Sequence, residues 1–208
     1  MEKRRMLLIG GMVFFLISIV CSTGSYASGR AEEHDGFYLR FQLGYASTES
    51  KGTGYSSLPD LEVSGGGTIF RLDVGGAVQE NLILFATFGG ISTKDPDIKF
   101  GSLSATADDT TSSISDVGFG VTYYLMPSNF YVGGSLNIAQ NEIEFGNSQK
   151  GSSDSGFGLY VNVGKEWWIS DNWGLGVGGY GYFGSVPDKG EGTIKNQSFG
   201  LFFSATYN

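Results

Sequence analysis

Phe37-Tyr38-Leu39-Arg40-Phe41-Gln42-Leu43-Gly44-Tyr45 is the stretch of sequence from which the fold can be read. Its odd-numbered residues are all apolar, whereas Arg40, Gln42 and Gly44 occupy even-numbered positions. Successive side chains of a β-strand point to opposite faces, so this stretch predicts a strand with one apolar face and one mostly polar face. Because an arginine among apolar neighbours needs a polar or wet environment, the two faces are expected to meet different surroundings.

The same alternation recurs from residue 36 to the C-terminus in eight segments. The predicted strands cover residues 37–45, 67–78, 82–92, 114–125, 129–139, 155–168, 173–183 and 197–207. The third segment is apolar on both faces, so the sequence leaves its inward face open. Strands of about ten residues tilted by about 40° span on the order of 25 Å, which suits a membrane barrel. The pattern therefore predicts an all-β fold, an eight-stranded antiparallel up-and-down transmembrane β-barrel.

The breaks between these segments alternate in length. The short breaks are residues 79–81, 126–128 and 170–172, and the long ones are 47–66, 93–113, 140–154 and 184–196. The short breaks are rich in turn-forming residues. In bacterial outer-membrane barrels the short turns are periplasmic and the long loops are extracellular. An even number of strands then places both termini in the periplasm.

The N-terminus has the three parts of a secretory signal peptide. Basic residues 3–5 precede the apolar run Met6 to Val20, and Ser25-Tyr26-Ala27 offers a cleavage site. The apolar run is short of the roughly 20 residues that a membrane-spanning helix needs, which disfavours a membrane anchor. We therefore expect residues 1–27 to be a cleaved signal peptide, 28–35 a short periplasmic lead-in and 36–208 the barrel, in the bacterial outer membrane.

Composition excludes several classes of function. Loss of residues 1–27 removes three basic residues and one acidic residue, which leaves 10 Lys and Arg against 20 Asp and Glu. Such an acidic chain lacks the basic patch that nucleic-acid binding requires. The chain has one histidine, His34 in the lead-in, and one cysteine, Cys21 in the signal segment. These residues cannot assemble a zinc site or a Cys/His nucleophile pair, so no cofactor and no catalytic residues are expected.

A calcium site in the second long loop is the metal site that the sequence leaves open. Oxygen-rich clusters suit hard cations, and the acidic residues concerned are Asp95, Asp97, Asp108 and Asp109. Solvated loop acids are the simpler interpretation, so the expectation is that no metal is bound. An excess of acidic loop residues also raises the hypothesis of divalent cations that bridge lipopolysaccharide phosphates.

Aromatic residues cluster near the predicted periplasmic ends of the strands. Rings are expected there because their edges meet the lipid headgroups. The candidates for this girdle are Tyr123, Phe130, Trp167, Trp168, Trp173 and Tyr207. Core aromatics of a soluble sandwich are the alternative interpretation.

Charged residues at inward positions predict a polar network in the lumen. The candidates are Arg40, Arg71, Asp73 and Asp116. An eight-stranded barrel is just wide enough for side chains to fill, and a buried charge is costly without a partner. A structural network of ion pairs is therefore expected, with a narrow polar pore lined by the same residues as the alternative.

The last segment, Ser198-Phe199-Gly200-Leu201-Phe202-Phe203-Ser204-Ala205-Thr206-Tyr207-Asn208, resembles the C-terminal signal of small outer-membrane barrels. With the eight-segment pattern, it makes the chain similar to the OmpA, OmpX and OmpW-like group. Asn208 departs from that group, in which the terminal residue is usually aromatic. The resemblance implies insertion by the outer-membrane assembly machinery, and contact with outer-membrane lipids and lipopolysaccharide.

The same resemblance implies a monomer with a structural or surface-interaction role and a side-chain-filled lumen. An OmpW-like narrow pore or transporter for small apolar molecules is the alternative. Lipid-modifying barrels of this size use a histidine with a serine, and no predicted strand of this chain contains a histidine. No enzymatic activity is therefore expected.

Overall fold

The computed structural model describes residues 33–54, 61–147, 149–189 and 192–208. The expected signal peptide, residues 1–27, and the first part of the lead-in, 28–32, lie outside the described residues. Among the described residues, no helix has the length and apolarity needed to cross a membrane.

Eight long strands form a closed antiparallel barrel. The strands in chain order are β1 Phe37–Thr53, β2 Leu61–Gln79, β3 Leu82–Lys94, β4 Asp97–Phe100, β5 Leu103–Thr106, β6 Thr110–Leu125, β7 Phe130–Phe145, β8 Lys150–Ser152, β9 Gly156–Trp168, β10 Trp173–Pro187 and β11 Thr193–Tyr207. Around the barrel they follow the order β1, β11, β10, β9, β7, β6, β3, β2, and β2 pairs with β1 again to close the ring. Three short strands lie in the loops: β4 pairs with β2, β5 pairs with β4, and β8 pairs with β7. The predicted eight-stranded barrel is confirmed.

The two faces of each strand differ in exposure as the alternation predicts. Along β1, Leu43 is 59% exposed whereas its neighbour Gln42 is 1% exposed. In β3, whose inward face the sequence left open, Phe85 and Thr87 point inward and Phe88 points outward. The register explains this choice, because Thr87 pairs with the buried Asp73 of β2. The outer surface of the barrel is therefore an apolar band and the lumen is mostly polar and aromatic.

The strands are longer at one end of the barrel than predicted. β1 continues to Thr53 and β2 begins at Leu61, whereas the sequence predicted a loop over 47–66. β4, β5 and β8 likewise lie within the predicted loops 93–113 and 140–154. Apolar alternation stops where the lipid-facing surface ends, but backbone pairing continues beyond it, so hydrophobicity alone underestimates these strands.

The other end of the barrel carries the short turns. Glu80 and Asn81 join β2 to β3, residues 126–129 join β6 to β7, and 169–172 join β9 to β10. Asn81 and Asn129 have φ of 63° and 53°, a left-handed conformation that asparagine tolerates. We call this the turn end, and we call the opposite end the loop end.

Glycine permits the closure between β1 and β11. A Cβ on Gly44 would lie 2.0 Å from the carbonyl oxygen of Leu201, and one on Gly200 would lie 1.9 Å from that of Tyr45. Larger residues at either position would force the two strands apart. The first and last strands can therefore pair over their full length only because these residues lack side chains.

Candidate functional site: the barrel lumen

Asp73 of β2 is the centre of the first ion pair in the lumen. Its Oδ2 accepts hydrogen bonds from Arg40 Nε at 3.1 Å, Arg40 Nη2 at 3.0 Å and Gln42 Nε2 at 3.1 Å. Its Oδ1 accepts a hydrogen bond from the hydroxyl of Thr87 at 2.7 Å. The side chains of Arg40 and Asp73 are at most 2% exposed. Both carboxylate oxygens thus accept hydrogen bonds from donors on the two neighbouring strands, β1 and β3.

Arg71 and Asp116 form the second ion pair. The guanidinium donates from Nη1 at 3.1 Å and from Nη2 at 2.9 Å, one bond to each carboxylate oxygen. Bidentate pairs of this kind are the stronger form of a charge-assisted hydrogen bond. Arg71 Nη2 also donates to Thr87 Oγ1 at 3.0 Å, and Thr87 in turn donates to Asp73. One hydroxyl therefore links the two ion pairs, and the structure brings all four expected lumen residues into a single network.

Both guanidinium groups reach across the lumen. Arg40 Cζ lies 4.9 Å from the centre of the Tyr131 ring, and Arg71 Cζ lies 4.1 Å from that of Tyr160. In the ring of eight strands, β7 lies opposite β1 and β9 lies opposite β2. The Tyr160 hydroxyl also donates to Gln42 Oε1 at 2.7 Å. Cation–π contacts and hydrogen bonds therefore join walls of the barrel that are farthest apart.

Amide and hydroxyl groups occupy the lumen towards the loop end. Asn141 and Asn196 exchange two amide hydrogen bonds of 2.9 and 2.8 Å between β7 and β11. Below them, Ser198 Oγ lies 3.1 Å from the hydroxyls of both Tyr180 and Thr48. This part of the lumen contains neutral polar contacts in place of ion pairs.

His34 closes the turn end of the lumen. Its side chain is fully buried, and its ring is stacked on Tyr124 with centroids 3.5 Å apart. Its Nε2 lies 2.9 Å from Asn129 Oδ1, which makes Nε2 the donor. Burial lowers the pKa of the imidazole below its ordinary value of 6.5, so the ring is neutral near neutral pH. The sequence predicts only that His34 lies in a short lead-in before the first strand, because its burial depends on turns that lie far away in the chain.

Glu166 is a second lumen residue that the sequence analysis did not name. It is 1% exposed, and it accepts hydrogen bonds from Tyr124 at 3.1 Å, Ser204 at 3.3 Å and Thr206 at 2.6 Å. The alternation of side chains along β9 does predict its position, because Glu166 shares the even-numbered face of this strand with inward-pointing residues such as Tyr160. The turn end therefore contains a buried carboxylate held by hydroxyl groups.

Most of the expected aromatic girdle lies on the outer surface at the turn end. Tyr123, Phe130, Trp167 and Trp173 are between 38 and 51% exposed there, and the Tyr207 ring makes an edge contact with Trp173. Trp168, which is also expected in the girdle, lies on the inner face of the barrel instead. Its ring lies 5.0 Å from the buried His34, on the face of β9 that carries Glu166, so it belongs to the closure of the lumen.

The loop acids make local contacts. Asp97 accepts a hydrogen bond from Thr106, Glu62 pairs with Lys99, and Lys150 pairs with both Glu142 and Glu144. Within residues 33–54, 61–147, 149–189 and 192–208, no group of three or more histidine, cysteine or acidic residues is arranged to hold a metal ion.

A sequence profile described as the outer membrane protein beta-barrel domain matches residues 13–206. The chain belongs to this family. Members of the outer-membrane barrel family reside in the bacterial outer membrane, which accounts for an apolar outer surface around a polar lumen.

Solved structures of family-like barrels share the fold at low sequence identity. Neisserial surface protein A is 16% identical with a TM-score of 0.55, over 82% of this chain and 96% of that one. AlkL in lipid bilayers is 14% identical with a TM-score of 0.53, over 88% and 95%. OprG from Pseudomonas aeruginosa is 12% identical with a TM-score of 0.51, over 86% and 99%. A comparison with curated protein sequences gives no match. At such identities the similarity shows the fold alone.

Proposed function

We propose that the protein is a monomeric outer-membrane barrel with a closed lumen, and that its role is structural or surface-interacting rather than enzymatic. The loop end faces the cell exterior, and the turn end with both termini faces the periplasm. Its partners are outer-membrane lipids and lipopolysaccharide, together with the assembly machinery during insertion. The loops form the variable contact surface, as loops on a rigid scaffold commonly do.

The main support for a closed lumen is one contact across it. Arg40 packs against the ring of Tyr131 on the opposite strand. A side chain that touches the opposite wall leaves no continuous passage at its own level. Arg71 and Tyr160 repeat this arrangement from the next pair of opposite strands. Because both arginines are held by buried carboxylates, neither can move aside without exposing an unpaired charge.

The paired strands at the loop end support a surface-interaction role. β4 and β5 extend β2, and β8 extends β7, beyond the last outward apolar residues of those strands. These extensions have a regular backbone and carry exposed charged residues such as Lys99 and Lys150. They also expose apolar side chains, of which Leu103 is 72% exposed. A paired surface that mixes charged and apolar residues presents fixed positions to a partner, which a disordered loop does not.

Electrical recording in a planar lipid bilayer tests the closed lumen. The native protein is expected to give no steady single-channel events. Replacement of Tyr131, Tyr160 and His34 by Ala removes both rings that face an arginine across the lumen and the imidazole that closes the turn end, so this variant is expected to permit conductance. Leu159→Ala on the lipid face is the control and is expected to stay silent. Steady conductance by the native protein would contradict the proposal and favour the pore.

A groove on the outer wall is the observation that favours the OmpW-like alternative. It lies beside the loop end, has a volume of about 280 Å³ and is lined by residues including Phe70, Phe88 and Gly90. An apolar groove open to lipid could receive a small apolar molecule. The wall behind it is continuous, however, because β3 and β6 pair without a register shift. Uptake of an apolar dye into proteoliposomes, absent in protein-free vesicles, would support this alternative.

A further inference from the structure

His34 is tied to two of the three short turns and to the inner wall of the barrel. Its backbone carbonyl accepts a hydrogen bond from Asn81 N at 3.0 Å in the first turn, and its Nε2 donates to Asn129 in the second. The carbonyl of Gly36 accepts a further bond from Ala77 N at 2.9 Å. The lead-in therefore enters the mouth of the barrel and is anchored there by both backbone and side chain.

The pocket around the imidazole favours a neutral ring. Nε2 carries the proton that Asn129 accepts, and the buried Nδ1 makes no hydrogen bond in the neutral ring. The Asn208 side chain favours a protonated ring, but a second proton would still create a cation removed from water, which is costly.

The charged and titratable groups around His34 come from several strands. Burial has the largest effect and lowers the pKa of His34. The side chains of Asn129 and Asn208 and the charge of Glu166 favour the imidazolium, and Arg40 opposes it, but together they do not outweigh burial. Glu166 accepts its hydrogen bonds from Tyr124, Ser204 and Thr206. Its charge is thus already stabilised by hydroxyl groups.

From this geometry we infer that residues 34–36 are a plug for the turn end of the lumen, and that protonation of His34 at acidic pH releases it. The docked plug holds the ring neutral, whereas the released segment is in water and takes up a proton readily. Acid therefore favours release. The inference extends the proposed closed lumen, but its test measures the plug itself and does not depend on whether the barrel conducts.

The direction of the pH effect follows from linkage. The pKa of His34 is below 6.5 in the docked state and has its ordinary value of 6.5 when the segment is released. Docking is therefore at full strength above pH 6.5, and it weakens as the pH falls from 6.5 towards the docked pKa. Across that window the released fraction should rise by roughly tenfold per pH unit.

Nuclear magnetic resonance can follow this group without ambiguity because the chain contains a single histidine. The full barrel, carrying histidine labelled with 13C at Cε1 and reconstituted in lipid, should show one titrating signal with a midpoint below pH 6.5. A midpoint at or above 6.5 would overturn the proposal.

A spin label reports release directly. The label is attached at Asp35→Cys, an exposed position next to His34, in a Cys21→Ser background. It should be immobile at pH 7.5 and mobile at acidic pH, with the same midpoint as the histidine signal. A label at Ser155→Cys, exposed at the loop end, is the control and should not respond.

The His34→Gln variant tests whether protonation of the imidazole, and not of another acid-sensitive group, causes the release. Glutamine keeps a side-chain donor for Asn129 but does not take up a proton, so the label at position 35 should remain immobile at acidic pH. Mobilisation of this variant along the native pH curve would overturn the proposal. If the label is already mobile at pH 7.5 in this variant, the protein with native His34 provides the test. Equal midpoints of its histidine signal and its spin-label signal support the proposal, and a difference of more than about one pH unit overturns it.

Discussion

The ion pairs of the lumen and those of the loop end have nearly the same geometry but very different surroundings. All of them have nitrogen-to-oxygen distances of 2.9 to 3.0 Å. The lumen pairs are at most 2% exposed, whereas the lysines of the loop pairs are 52% exposed. The lumen pairs are Arg40–Asp73 and Arg71–Asp116, and the loop pairs are Lys99–Glu62, Lys150–Glu142 and Lys150–Glu144.

Distance alone therefore does not set the contribution of an ion pair to stability. Water and salt screen the loop pairs, and such exposed pairs contribute little to stability. In the lumen, the charges have already been removed from water, so each depends on its partner for stabilisation. Breaking a lumen pair should therefore be far more costly than breaking a loop pair.

Asp73→Asn should have the largest effect. The amide keeps the shape of the carboxylate but leaves Arg40 buried without its countercharge, which should lower the free energy of unfolding by about 3–5 kcal/mol. Urea unfolding in lipid vesicles measures this loss. Glu142→Gln makes the same chemical change at the loop end and is the control. Equal effects of the two substitutions would contradict the comparison.

Replacing both residues of the second lumen pair should lower the free energy of unfolding less than replacing only one of them. Asp116→Leu alone leaves Arg71 unpaired and should lose about 3–5 kcal/mol, whereas Arg71→Met together with Asp116→Leu should lie within about 1 kcal/mol of the native protein or above it. Urea unfolding of both variants completes the test. A double variant less stable than the single one would indicate that Arg71 has another essential partner.

Lys150→Gln should have the smallest effect, with no measurable change in unfolding. Glu144 and Glu142 raise the pKa of Lys150 above its ordinary value, so the amine stays charged to a higher pH. The small stabilisation that it provides is present below the ordinary pKa of 10.5 and is lost as the pH rises further. At low salt and at high salt alike, the urea midpoint of this variant should equal that of the native protein.

Parity along the strands predicts which charges enter the lumen, but register decides which of them pair. Arg40 and Asp73 are direct partners across β1 and β2. Arg71, in contrast, reaches Asp116 two strands away, past Gly89 of β3. A Cβ on Gly89 would lie 2.9 Å from Arg71 Cγ, so the missing side chain leaves room for the guanidinium. No local pattern in the sequence contains this relation.

Three features of the structure differ from what the sequence predicts: the length of the strands at the loop end, the position of Trp168 and the burial of His34. The strands at the loop end were predicted too short because they pair in a polar environment, where apolar alternation is absent. Trp168 was assigned to the girdle from its position near a strand end, without use of its inward parity. The burial of His34 has no local sequence signal, because a residue outside the strands is buried only through contacts with distant turns.

The sequence is enough to predict the barrel, the number of its strands, the lipid-facing side of every strand except β3, and four of the charges that enter the lumen. These properties follow from side-chain alternation, which is local and needs no knowledge of distant residues. The tertiary structure alone decided the pairing of the charges, the contacts that cross the lumen and the burial of His34. These properties depend on register and on closure of the ring, which bring together residues as distant in the chain as Thr48 and Ser198, 150 positions apart.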